Sequence, residues 1–461
     1  MTAARTLDPT ILREYDIRGI VGETLMIEDA IAIGRSFGTM LIEKGGKSAA
    51  VGYDGRLSSP DIEAALVEGL SASGVDVFRV GLGPSPMLYY ATHELNTDAG
   101  LMVTGSHNPP EYNGIKMTLF GHAFFADDIQ KMGEKATKGE FLEGAGRIES
   151  RSVQESYVNR LLIDYSGSKD LKVAWDPGNG AAGDVLVEMT KSLPGSHFLI
   201  NEKIDGTFPA HHPDPTVEKN LDQLKALVAD KQCDVGIGFD GDGDRIGIID
   251  QHGRVLWGDQ LLVILAEVVL ADEPGATIIA DVKASQLFFD EITRMGGKPM
   301  LWKAGHSHIK SKMSELGSPL AGEMSAHIFF KHRYYGYDDA LYAAIRMLSI
   351  LASGERSLAD IYDALPKYVN TPEIRFECAE ERKFKVIDEV QERLSKIEGL
   401  DVNEIDGVRV TTEDGWWLLR ASNTQAVLVA RCEANDQAGL MRLKGDLDSQ
   451  LKLSGINPPS I

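Results

Sequence analysis

The chain has 461 residues, a formal net charge of −22 and three cysteines, Cys233, Cys378 and Cys432. A single core rarely grows past about 250–300 residues, so this length calls for several domains, roughly three at about 150 residues each. The acidic balance excludes a nucleic-acid or membrane-surface partner, since both need a basic face, and an odd number of scattered cysteines fits a reducing cytosol better than a disulfide framework.

The N-terminal stretch "MTAARTLDPTILREYDIRG" lacks the apolar segment of a signal peptide. No later apolar run reaches about 18 residues, so a soluble, cytoplasmic protein is expected. Further along, one layout recurs three times. A short apolar strand ends in aspartate: "AAVGYDGR" at Asp54, "KVAWDPGN" at Asp176 and "TIIADVKAS" at Asp281. A helical stretch and a second strand follow, "VDVFRVG", "SHFLIN" and "KPMLWKAG". Each repeat then reaches a third strand that runs into an unusual loop: "GLMVTGSHNPP", "CDVGIGFDGDGDR" and "LAGEMSAHIFF". Strands alternating with helices indicate α/β domains with mostly parallel sheets. In such sheets ligands sit at the carboxyl ends of strands, which is where the loops of Ser106, Asp240 and Glu323 lie. After about Pro366 the pattern becomes strand, charged helix, small antiparallel sheet and final helix, an α+β domain whose odd loop is "RASNTQ".

The second loop carries the clearest chemistry. In an extended segment Asp240, Asp242 and Asp244 project to one side, and Gly241 and Gly243 let the backbone curl until the carboxylates converge. Three converging carboxylates repel each other unless a cation lies between them, and oxygen-only ligands suit Mg²⁺ or Ca²⁺. An EF-hand reading fails, because Arg245 and Gln251 stand where its Gly and Glu would be. "GIGFDG" fits the dinucleotide fingerprint only by placing carboxylates against a pyrophosphate.

Ser106 lacks a triad: His107 is its neighbour, side chains adjacent in an extended loop point apart, and the flanks are not a nucleophile elbow. Taken alone it is more simply a turn residue, although a serine can also carry a phosphoryl group, with Lys116 and the three aspartates in support. Glu323, Ser325 and His327 alternate and so share a side, matching the donors and acceptors of vicinal sugar hydroxyls, or else forming a polar turn. Arg420, Ser422, Asn423 and Thr424 fit a small anion site as well as they fit a plain hairpin turn. Arg18, Lys116, Arg245, Lys283 and Arg420 fall in or beside these loops, which suggests a basic cleft in an acidic body.

"TGSHNPPEYNGIK", "DGDGDR", "GEMSAH" and "RASNTQ", in this order, resemble the α-D-phosphohexomutase superfamily, and within it the bacterial phosphomannomutase/phosphoglucomutase branch. "YDIRG", "RLSSP", "FPAHHPDP" and "KAGHSHIK" add to the likeness, which spans nearly the whole chain. It implies a heart-shaped arrangement of four domains, here 1–150, 151–255, 256–367 and 368–461, around one site. It also implies reversible conversion of hexose 1-phosphate and hexose 6-phosphate through a hexose 1,6-bisphosphate, with mannose, glucose or both as the sugar. Ser106 would be the phosphoserine, and with Asp240, Asp242 and Asp244 it would bind one Mg²⁺. Glu323 and Ser325 would take the sugar's 3- and 4-hydroxyls with His327 alongside, and Arg420, Ser422, Asn423 and Thr424 the non-reacting phosphate. Tyr15, Arg18, His107, Arg245, Lys283, Lys116 and His306 match further active-site positions, the last two as proton carriers. Met324 favours the mannose/glucose branch over glucosamine-specific relatives, and Ala326 departs from the Gly more usual in this loop. The resemblance implies hexose phosphates as ligands and leaves the oligomeric state open. A sugar-phosphate-binding regulatory protein and a Mg²⁺-dependent phosphatase are the competing readings.

Overall fold

The three strands that run into an aspartate, Ser48–Tyr53, Lys172–Asp176 and Thr277–Asp281, are each interior to a sheet and largely buried, as their apolar runs require. The computed structural model describes residues 4–423 and 425–457. Each central strand has two parallel neighbours. On one side lie Asp76–Leu82, Ser196–Leu199 and Lys298–Trp302, and on the other Ala99–Val103, Val235–Phe239 and Leu320–Gly322. The latter strand then turns back on itself. It pairs antiparallel with Tyr112–Leu119, Ile246–Asp250 and Ile328–Phe330 respectively.

The sheets are therefore mixed, with a parallel centre and an antiparallel return. Each unusual loop joins a strand to its return partner, so it closes a hairpin at the carboxyl end of the last parallel strand. In the first unit the strand Ile17–Ile20 pairs with Tyr112–Leu119 and brings Arg18 beside the first loop. The fourth unit is an antiparallel sheet built on Val408–Thr412, Gly415–Ala421 and Val427–Ala434, with helices Glu380–Leu394 and Gln437–Leu453.

One apolar core runs without a break from Met87, Leu88 and Tyr90 of the first unit through Trp175 and Phe239 of the second to Phe288 and Phe330 of the third. The helix Ala340–Ser353 lies in this core, capped by Asp339, which accepts from the Tyr342 backbone N–H. The fourth unit has a core of its own, around Val386, Trp417, Leu428 and Leu443. Against the third unit it adds a small apolar seam of Val282, Trp416 and Leu418. No helix among the described residues is long and apolar enough to cross a membrane.

Candidate active site

The first loop is held from beneath by a buried ion pair. Arg56 reaches the Asp54 carboxylate, and its two terminal nitrogens donate to the backbone carbonyls of Ser106 at 2.7 Å, Asn108 at 2.6 Å, Tyr112 at 2.9 Å and Pro109 at 2.5 Å. Asp54 also accepts from the Thr104 hydroxyl and the Gly105 N–H. The loop backbone is thus fixed by bonds to charged groups, which are the strong kind. Ser106 is buried with φ at +50°, in the left-handed region. That turn has a consequence: Ser106 Oγ lies 3.2 Å from His107 Nδ1 as well as 3.0 Å from Asp240 Oδ2. The expectation that Ser106 and His107 diverge is overturned, because the backbone between them is not extended. No carboxylate among the described residues hydrogen-bonds His107, so a triad is still not formed. Burial, with Arg245 and Arg18 nearby, holds the His107 imidazole well below its ordinary pKa.

Asp240, Asp242 and Asp244 are fully buried, and one oxygen of each lies within 4.8 Å of the others. They converge through a turn rather than by strand alternation: the Gly243 N–H donates to the Asp240 carbonyl at 3.1 Å and Gly243 has φ +71°. Gly241 serves a different need, since a Cβ there would stand 2.4 Å from the Ser106 carbonyl oxygen. The two loops touch only because that side chain is missing. Lys116 Nζ binds Asp242 Oδ2 at 2.7 Å and Asp244 Oδ2 at 2.5 Å, and the Ser85 hydroxyl donates to Asp242. The other oxygens, Asp242 Oδ1 and Asp244 Oδ1, are buried with no donor. Burial, then the neighbouring charges of Asp242 and Asp244, push the Asp240 carboxyl well above its usual range. Donor-free buried oxygens and mutual repulsion are what a hard divalent cation relieves, so the residues fit a metal ion of that kind. Lys116 stays charged: burial alone would lower it, but Asp242 and Asp244 raise it well above its ordinary value.

The third loop is also a turn. The Ala326 N–H donates to the Glu323 carbonyl at 2.9 Å, and Ala326 has φ +70°. The shared side expected for Glu323, Ser325 and His327 is therefore not formed by alternation. Glu323 Oε1 accepts from the Gly305 N–H at 2.6 Å, where the helix His306–Leu316 begins. His327 is buried; its Nε2 meets Arg245 Nε at 3.0 Å, and its Nδ1 lies 3.1 Å from Asp338 and 3.6 Å from Asp244. Nε2 is hydrogen-bonded within the protein, whereas Nδ1 is buried near those two carboxylates without a hydrogen bond, and the ring stacks on His306 at 5.7 Å. Ser325 is half-buried on the same turn. Met324 Sδ lies 2.7 Å from Arg431 Nη1 of the fourth unit. His306 Nδ1 is buried without a partner, and burial followed by the Lys310 charge keeps this imidazole well below its ordinary pKa.

In the fourth unit the Arg420 guanidinium pairs with Asp406 through Nε at 3.1 Å and Nη2 at 3.2 Å. Asn423 Nδ2 donates to the Tyr15 hydroxyl at 2.8 Å, and that hydroxyl donates to the Ala304 carbonyl at 2.9 Å. The Ser422 hydroxyl accepts from the Gln425 N–H. Thr424 lies outside the described residues. Lys283 Nζ is 3.4 Å from Asp281 and 3.2 Å from Glu373. Burial opposes ionisation of Glu373, yet Lys283 and Arg375 hold it down at about 2. Arg18 is tied to Asp16, to the Gly105 carbonyl and to Asn108 Oδ1.

The basic groups expected to line the cleft are thus paired rather than free. Lys116, Lys283, Arg18 and Arg420 each carry a carboxylate partner, because buried charge is stable only when compensated. Of these partners, sequence reasoning missed Asp16, Glu373 and Asp406, as well as Arg56. Asp54 carried a signal, being one of three repeated strand-end aspartates; Asp281 repeats its role by accepting from the Met324 N–H in the third loop. Asp406 carried none, since "DG" between strands reads as an ordinary turn.

Four family models match in sequence order, described as phosphoglucomutase/phosphomannomutase alpha/beta/alpha domain I over residues 9–143, domain II over 154–253, domain III over 257–368, and the C-terminal domain over 373–450. The chain is 42% identical over 449 residues to a Pseudomonas aeruginosa protein named phosphomannomutase/phosphoglucomutase, covering 97% of each. It is 38% identical to a phosphoglucomutase of Neisseria meningitidis serogroup A, covering 96% of each. A crystal structure of a phosphoglucomutase/phosphomannomutase family protein from Burkholderia thailandensis superposes with a TM-score of 0.92 at 40% identity, covering 98% of this chain and 99% of that one.

Proposed function

Because the chain belongs to the phosphoglucomutase/phosphomannomutase family, we propose that it works as a hexose-phosphate mutase with Ser106 as its phosphoryl carrier. It interconverts hexose 1-phosphates and hexose 6-phosphates. Glucose and mannose are the sugars this reading assigns to it. One observation carries the role of Ser106: its hydroxyl lies 3.0 Å from Asp240, next to buried carboxylate oxygens of Asp242 and Asp244 that have no donor.

In the first half-reaction the sugar's free hydroxyl oxygen attacks phosphorus on phosphorylated Ser106, and the P–Oγ bond breaks. His306, kept neutral by burial, takes the hydroxyl proton, and Lys116, kept charged by Asp242 and Asp244, supplies one to the departing serine oxygen. The bisphosphate turns over within the pocket. Ser106 then attacks the other phosphate, and both protons return. Asp240, Asp242 and Asp244 would hold Mg²⁺, which when bound supplies positive charge against the transferring phosphoryl group. Arg420 and Asn423 would grip the phosphate that does not react, and Glu323 and Ser325 the sugar between the two ends.

The test is a coupled assay with glucose 1-phosphate and mannose 1-phosphate, in the presence of Mg²⁺ and glucose 1,6-bisphosphate. Formation of 6-phosphate without inorganic phosphate supports the mutase cycle. Stoichiometric phosphate release would make the protein a phosphatase, and binding without turnover a regulatory protein.

A further inference from the structure

We propose that Asp406 is a positioning residue: it sets the Arg420 fork for phosphate and makes full presentation of that fork depend on contact between the third and fourth units. The inference rests on reading Arg420 as a phosphate holder. An arginine offers five N–H donors in a rigid plane, and its value for phosphate lies in presenting two of them at once. Asp406 takes Nε and one Nη2 hydrogen, at 3.1 and 3.2 Å. Among the described residues Nη1 has no partner. The Nη1/Nη2 edge is therefore the one left for an anion, and the carboxylate behind it fixes which way it faces.

Asp406 does more than orient. Its Oδ2 also accepts from the Ala304 N–H of the third unit at 2.9 Å. The carbonyl of the same Ala304 accepts from Tyr15, whose oxygen accepts from Asn423. Arg420, Asp406, Ala304, Tyr15 and Asn423 form a chain of hydrogen bonds that leaves the phosphate loop, crosses the third and first units, and returns to it, closed by the backbone between Arg420 and Asn423. The Arg420–Asp406 bond lies inside the fourth unit. The Asp406–Ala304 and Asn423–Tyr15 bonds cross between units, so moving the fourth unit away breaks both together. Asp406 side-chain exposure is only 12%, so its charge depends on these partners and not on water. Ala304 directly precedes Gly305 and His306, where the helix His306–Leu316 starts, so the grip on the distant phosphate and the position of His306 meet at one peptide.

Asp406→Asn keeps the shape but loses the charge and turns an amide N–H₂ toward either Arg420 or Ala304. Expected is a rise of about tenfold or more in KM for glucose 1-phosphate, with a much smaller fall in kcat. Asp406→Glu keeps the charge but displaces the fork, and it should raise KM too; it serves alone if the Asn variant does not fold. The decisive comparison is with Arg420→Ala and the double variant. If Asp406 acts through Arg420, the double variant has the KM of Arg420→Ala, whereas independent structural damage would multiply the two effects. Multiplied effects, or an unchanged KM in the Asp406 variants while Arg420→Ala raises it, overturn this inference and leave the phosphate reading standing. An unchanged KM in Arg420→Ala removes the phosphate reading itself.

Discussion

The Ser106–Asp240 region and the Arg420 region are both assembled from loops, yet they are built in opposite ways. The first joins two units that share one continuous core, and its cross-unit bonds (Ser106 to Asp240, Lys116 to Asp242 and Asp244, Ser85 to Asp242) are all buried. The second sits on a unit with a separate core, joined to its neighbour by a thin apolar seam and by polar bonds such as Arg409 to the carbonyls of Val282 and Ala284. Bond making and breaking needs donors and charges held to within a fraction of an ångström. In the proposed cycle, a grip that accepts either end of a turning bisphosphate needs a part that can release it. On the proposed roles, the difference teaches that rigidity lies at the reacting end and separability at the other.

Variants at the two ends should therefore fail differently. Ser106→Ala removes the proposed carrier oxygen, and turnover should fall by at least about a thousandfold while the fold persists; near-normal activity in the coupled assay would collapse the distinction. Arg56→Met leaves Asp54 without its charge partner and four backbone carbonyls without this donor inside a buried site. It should cost about 3–5 kcal/mol by urea unfolding, and activity should go with it. Arg420→Lys keeps the charge but loses the fork, so KM should rise by about tenfold and kcat change little; an equal loss in kcat would place Arg420 at the reacting end instead. Acidification sharpens the contrast further. His306 is held below its ordinary value of 6.5, so as pH falls through that value the unfolded chain binds a proton that the folded chain refuses, and stability drops. In His306→Asn the decline in Tm between about pH 7 and pH 5.5 should be shallower than in the parent protein. The smallest effect is expected at Ala326, whose φ of +70° suits glycine. Ala326→Gly should stabilise by about 1 kcal/mol, read as a rise in Tm, since Ala carries a steric penalty in the left-handed region.

Much of this was legible in the sequence because each repeat ends its last parallel strand in a loop of distinctive residues. Asp240, Asp242 and Asp244 announce a cation site by type and spacing alone, and the glycines between them announce a tight turn. What stayed hidden was backbone handedness and pairing across units. Nothing local says that Ser106 has φ +50° and so brings His107 within 3.2 Å of its hydroxyl. Nor does it say that Ala326 turns the third loop, breaking the alternation expected of Glu323, Ser325 and His327. The partners of Lys283 and Arg420, namely Glu373 and Asp406, were invisible because each is an ordinary acidic residue until the chain folds around it.

The central claim is that Ser106 carries the phosphoryl group. Its most direct measurement is peptide mass spectrometry of the purified protein. Spectra are taken before and after incubation with glucose 1,6-bisphosphate and Mg²⁺, and again after adding glucose 1-phosphate or mannose 1-phosphate. A phosphate on the peptide containing Ser106 that exchanges with the sugar phosphates without net loss is the predicted result. A Ser106 peptide that never gains phosphate under any of these conditions, while 6-phosphate still forms, would contradict it.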